Sequence, residues 1–137
     1  MPQKLRVLLV DDDQTTNFLN KLLLTKLGVT EQVLTAANGE EALRVLAQQS
    51  SEPPTYPHLI LLDMNMPVLN GLAFLEAYAQ LSPAVQQAIV IVMLTTSLHP
   101  VDMARAQELP IAGFVNKPLT KEKVAALLRE HFAAPHP

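Results

Sequence analysis

The chain has 137 residues, 10 Lys and Arg against 13 Asp and Glu, a net charge of -3 and no cysteine. That length suffices for one domain with a packed core, and the lack of cysteine excludes disulfides, iron–sulfur clusters and thiol catalysis, so any metal must be held by oxygen or histidine. Charges of both signs are spread along the chain, which excludes the basic face of a direct nucleic-acid binder, and the run before Asp11 is too short for a secretory signal or a membrane span. A soluble cytoplasmic protein is expected.

In chain order, the first apolar run, Leu5 to Val10, predicts a buried strand, and Phe18, Leu19, Leu22, Leu23 and Leu27 then recur at helical spacing. Gly28 is placed to end that helix as a left-handed cap. A second strand is predicted at Gln32 to Ala36. Asn38-Gly39-Glu40-Glu41 resembles a capping box opening a helix with Ala42, Leu43, Leu46 and Ala47 on its stripe. Residues 50–57 have a loop composition within one repeating unit, and a third strand follows at Leu59 to Leu62.

Asn70 is placed to cap the next helix, and Ile89 to Leu94 reads as a fourth strand. A less continuous fifth run, Ile111 to Val115, precedes Thr120, a cap for a last helix with Val124, Leu127 and Leu128 inward. Strands apolar on both faces, alternating with helices, predict an α/β class with an open parallel sheet and helices on both faces. The expectation is a single domain over 1–137, with 133–137 as a short tail and no output domain behind it.

Ligands of open parallel sheets sit outside the carboxyl ends of the strands. Just past the apolar runs stand Asp11, Asp12 and Asp13, then Asp63, then Thr95, Thr96 and Ser97, then Lys117. Carboxylates about 4 Å apart repel by about 4 kcal/mol at an effective dielectric near 20, so converging acids call for a cation. Hard oxygen ligands select Mg2+, Mn2+ or Ca2+, and a Mg2+ that keeps several waters suits a site visited by phosphate. With Lys117 as a fixed positive charge, one carboxylate can act as nucleophile toward a phosphoryl group.

The segments LLVDDD, LLDMNMPVLNG, IVMLTTS and FVNKPLT, in that order, resemble the four signature segments of the receiver domain of two-component response regulators. The resemblance covers nearly the whole chain. It implies a (βα)5 flavodoxin-like fold with five strands, Asp63 as phosphoacceptor, and Asp11 and Asp12 as the acidic pair holding Mg2+. Asn65 would add its backbone carbonyl to the metal. Thr95 resembles the switch hydroxyl and Lys117 the phosphate-binding lysine, with a cis bond before Pro118.

Two positions depart from the common pattern. Phe114 stands where the family often has tyrosine, so a switch ring there has no hydroxyl, and a core role for it is equally open. Thr96 stands where smaller residues are common, which predicts restricted access to the acyl phosphate and slower dephosphorylation. Asp13 reads as a loop or cap residue, and Met64 and Met66 as packing. The histidines His58, His99, His131 and His136 lack metal-ligand spacing.

The resemblance implies a signalling protein phosphorylated by a histidine kinase or phosphotransfer protein, read out by a partner in trans, without membrane or nucleic-acid contact, as a monomer or weak dimer. One alternative is a docking module of the same fold that is never phosphorylated. The other, a Mg2+-dependent aspartyl-nucleophile phosphohydrolase, is disfavoured because Asn65 stands two residues after Asp63, where such enzymes usually carry a second aspartate.

Overall fold

In the computed structural model, residues 4–47, 57–63, 71–80, 89–95, 104 and 111–132 are described. They form β1 (Leu5–Val10), α1 (Gln14–Leu27), β2 (Thr30–Ala36), α2 (Gly39–Ala47), β3 (Leu59–Asp63), α3 (Gly71–Tyr78), β4 (Val90–Thr95), β5 (Gly113–Asn116) and α4 (Lys121–His131). All strand pairs are parallel and the sheet order is β2-β1-β3-β4-β5. The chain steps outward from β1 to β2 and then returns to the other side of β1. The order therefore reverses between β1 and β3, and a crevice opens there at the carboxyl ends.

Alternate residues of the central strands feed two cores. Leu8, Val10, Ile60 and Leu62 pack with Ala42 and Leu46 of α2 and with Phe74, Leu75 and Tyr78 of α3. Val7, Leu9, Leu59 and Leu61 pack on the other side with Leu24 of α1 and Val124 and Leu127 of α4. Each such buried aliphatic side chain contributes roughly 1.5–3 kcal/mol relative to exposure. The doubly covered sheet expected from the apolar strands is thus present, and burial pushes the Tyr78 phenol up to about 12.

The helix starts follow their capping residues. Asp13 caps α1, accepting the Thr15 N–H at 2.9 Å and the Thr16 hydroxyl at 2.9 Å. The Thr16 hydroxyl first, then the Thr15 N–H, hold its carboxyl below the usual carboxylate range. Asn38 accepts the Glu41 N–H at 2.8 Å before α2, and Thr120 accepts the Lys123 N–H at 3.2 Å before α4. Gly28 ends α1 with φ 69°, a left-handed conformation that glycine adopts without Cβ strain. Asn70 lies outside the described residues, as does most of the segment between β4 and β5 where a further helix is expected.

Strand limits shift at the sheet margins. β2 begins at Thr30 instead of Gln32, because an edge strand with outward-facing polar residues still pairs its backbone with β1. β4 is offset by one residue, to Val90–Thr95. β5 begins at Gly113: Ile111 packs against the core ahead of the ladder. The inner face of α1 also differs from the apolar spacing. Asn17, Asn20 and Leu24 are buried and Leu23 and Leu27 pack against the core, whereas Phe18, Leu19 and Leu22 are 63%, 54% and 40% exposed.

At the amino end of the sheet, the His58 backbone N–H donates to the Arg6 carbonyl at 2.8 Å and its ring Nδ1 accepts the Arg6 N–H at 2.9 Å. Nδ1 accepts only in the neutral ring. Burial first, then the Arg6 charge, hold this imidazole below its ordinary range, against the opposing pull of Glu31. The unfolded histidine takes its proton at about pH 6.5, before the folded one does. The stability it contributes is complete above that pH and is lost as pH falls through the folded pKa. Urea midpoints measured at about pH 7.5 and about pH 5.5 are expected to differ less in His58→Gln than in the parent protein.

Candidate functional site

Asp11 follows β1 directly and Asp63 is the last residue of β3. Val10 pairs with Leu62, so both acids leave adjacent strands at the same level. With neighbouring strands about 4.8 Å apart, their side chains meet in the crevice at the order reversal. Asp11 and Asp63 are buried and Asp12 is exposed. One carboxylate oxygen from each of the three lies within 4.8 Å of the others.

Lys117 reaches this cluster from the turn after β5. Its Nζ is 2.7 Å from Asp11 Oδ2 and 3.3 Å from Asp63 Oδ1. Burial lowers the lysine pKa, but the hydrogen bond to Asp11 and the charges of Asp63 and Asp11 outweigh it, and the net shift is upward. The ammonium is therefore fully charged at neutral pH. Asp11 Oδ1 is occupied separately, accepting the Asp13 N–H at 2.9 Å.

Asn17, which the apolar pattern of α1 did not single out, braces the loop from below. Its Nδ2 donates to the Asp11 carbonyl at 2.9 Å and to the Ala36 carbonyl at 3.4 Å, joining the ends of β1 and β2. The Asp11 N–H donates to the same Ala36 carbonyl at 3.0 Å. The available signal was an asparagine seven residues before Leu24, on the inward face of the helix.

Three carboxylates face one ammonium, so this group carries a formal charge of -2 at neutral pH. Its donors are all hard oxygens. One oxygen from each carboxylate lies within 4.8 Å of the others, near the roughly 3–4 Å that separates the ligands of a six-coordinate Mg2+ with oxygens at about 2.1 Å. The donor set therefore fits a small divalent cation.

Thr95 ends β4, paired with Asn116, and Pro118 follows Lys117 across a cis peptide bond. Phe114 lies on β5, half-buried against the core on the α2–α3 side. Asn65, Thr96, Met64 and Met66, and the side chain of Thr95, lie outside the described residues. No helix among the described residues is long and apolar enough to cross a membrane.

The family model of the response regulator receiver domain matches residues 7–129. The chain is 33% identical over 132 residues to a probable chemotaxis protein CheY of Rhizobium etli, covering 96% of this chain and 95% of that protein. A two-component response regulator of Cytophaga hutchinsonii superposes with TM-score 0.83 at 28% identity, over 93% of this chain and 97% of that one. The chemotaxis protein CheY4 of Vibrio cholerae superposes with TM-score 0.78 at 27% identity, over 94% and 99% of the two chains. With a family match across most of its length and the same five-stranded architecture, the chain belongs to the response regulator receiver domain family.

Proposed function

We propose that this receiver domain accepts a phosphoryl group on Asp63 from a phosphohistidine of a histidine kinase or phosphotransfer protein and thereby changes its binding to a downstream partner. The observation that carries the reading is the position of the Lys117 ammonium, 2.7 Å from Asp11 and 3.3 Å from Asp63, with Asp12 alongside. A carboxylate oxygen of Asp63 attacks phosphorus, an O–P bond forms and the donor's N–P bond breaks. The electron pair leaves with the imidazole nitrogen. Lys117 stabilises charge on the transferring oxygens.

Asp11, Asp12, Asp63 and the backbone carbonyl of Asn65 would hold Mg2+, which when bound offsets the negative charge of the phosphoryl oxygens. Thr95, at the end of β4, is the hydroxyl assigned to the phosphorylated state, and Phe114 the ring that follows its movement. Thr96 and Pro118 are the residues assigned to neighbour the phosphate. Partner contact is supported by the exposed Phe18, Leu19 and Leu22 on α1. Leu19 also lines a groove of about 490 Å³ with Asn20, Leu23, Lys117, Pro118 and Leu119. Apolar surface of this kind beside a reactive carboxylate offers a donor protein a place to dock.

The test is incubation with acetyl phosphate and Mg2+, followed by intact mass. One added phosphoryl group is expected with Mg2+ and none when EDTA replaces it. Failure of both acetyl phosphate and a histidine-kinase donor to modify the protein, under conditions that preserve acyl phosphates, would favour the unphosphorylated docking module.

A further inference from the structure

A second ammonium is built into the turn that carries Lys117. Lys123, in the first turn of α4, donates from Nζ to the Asn116 carbonyl at 2.7 Å and to the Pro118 carbonyl at 2.9 Å. These carbonyls belong to the residues immediately before and after Lys117. The Lys123 backbone N–H is meanwhile taken by the capping hydroxyl of Thr120. One residue of α4 is thus tied at both ends to the turn, and its charged end brackets the peptide units on either side of Lys117.

We infer that Lys123 is a positioning residue that holds the Lys117 ammonium in register with Asp11 and Asp63. The inference rests on the reading of Lys117 as the phosphate-binding lysine. Among the described strands β5, four residues long, is hydrogen-bonded to β4 alone, and the ladder between them ends at the Thr95–Asn116 pair. Among the described residues, no strand flanks the turn beyond that pair to orient it. Lys117 nevertheless has to reach two buried carboxylates at once, across the crevice from the sheet edge.

A charge-assisted hydrogen bond to each flanking carbonyl restricts the rotation of the turn, and so the direction in which the Lys117 side chain leaves it. An ammonium suits this task because its three donors can address two carbonyls that are not coplanar. Misplacement of a charged group by about 1 Å can cost up to about a hundredfold in rate. Among the described residues the Lys123 ammonium is bound to the two carbonyls that flank Lys117, so its effect on the site is expected to pass through Lys117.

The experiment compares single-turnover phosphorylation by acetyl phosphate at saturating Mg2+ in the parent protein, Lys123→Met, Lys123→Arg, Lys117→Met and the Lys117→Met/Lys123→Met double variant. Lys123→Met is expected to lower the maximal rate roughly three- to tenfold with the Mg2+ midpoint unchanged. Lys123→Arg, which keeps a charged multiple donor, should recover most of that loss. In the Lys117→Met background, removing Lys123 should have no further effect, since the group it positions is gone.

A parental rate in Lys123→Met beside a slow Lys117→Met would overturn the inference and leave the reading of the site intact. So would a slowing by Lys123→Met that persists undiminished without Lys117. A parent protein that takes no phosphoryl group, or a Lys117→Met that reacts as fast as the parent, would instead overturn the reading on which the inference rests. Thermal unfolding of each variant separates a loss of fold from a loss of rate.

Discussion

Asp63→Asn is expected to take up no phosphoryl group from acetyl phosphate while becoming more stable than the parent protein in the absence of divalent cations. Loss of the adduct follows from the proposed role of Asp63 as nucleophile, since an amide oxygen at the same place cannot form the acyl phosphate. The gain in stability follows from the charge count. Asp63 faces two carboxylates, Asp11 and Asp12, but one ammonium, Lys117. Single pairs at this range are worth up to about 4 kcal/mol at an effective dielectric of 20, and one repulsion is left uncompensated. Allowing for solvent at the exposed Asp12, a gain of about 1 kcal/mol is expected in urea unfolding with EDTA present. Mg2+ should stabilise the parent protein more than the variant, which lacks one of the three carboxylates. A variant less stable than its parent in EDTA would mean that the cluster is not under electrostatic tension.

Lys117→Met should act with the opposite sign. It leaves Asp11 and Asp63, with side chains 5% and 9% exposed, facing each other without their shared cation. Breaking a buried ion pair from one side costs about 3 kcal/mol, and that loss is expected without metal at neutral pH. The raised lysine pKa fixes the pH window. Its contribution is complete below the unfolded value of about 10.5 and is lost only as pH rises through the folded value, so it is constant across the neutral range. Phosphorylation by acetyl phosphate should slow roughly ten- to hundredfold, as expected when a fixed charge that stabilises transferring oxygens is removed. Unchanged urea midpoints in EDTA would contradict the pairing seen at 2.7 Å and 3.3 Å.

The residues most legible in the sequence were those at which an apolar run stops on a charge. Asp11, Asp63 and Lys117 stand out because a strand buried on both faces tolerates no carboxylate or ammonium until it leaves the core. Parallel topology then brings such ends to one edge, where the structure places all three. The caps were legible for a related reason, since Asp13, Asn38 and Thr120 supply oxygens where helices begin.

Helix facing was harder to read. In α1 Leu23 and Leu27 of the apolar stripe pack on the core, but Phe18, Leu19 and Leu22 face water while two asparagines face inward. Asn17 is turned inward by backbone acceptors on Asp11 and Ala36, and those acceptors exist only once β1 and β2 lie side by side. Hydrophobic periodicity cannot register a partner 19 residues away. The role of Lys123 was hidden in the same way. Its partners are main-chain carbonyls, which every sequence carries and none marks.

Lys117 and Asp11 are 106 residues apart, and β3 and β4 lie between their strands in the sheet. Contacts of such long sequence separation carry a large loop-closure cost until the intervening strands have assembled. The acids of the pocket come from early in the chain and its fixed cation from late in it. Until β5 docks beside β4, the acids lack the ammonium that relieves their mutual repulsion. The Lys117 contacts to Asp11 and Asp63 thus tie the completeness of the site to the docking of the edge strand.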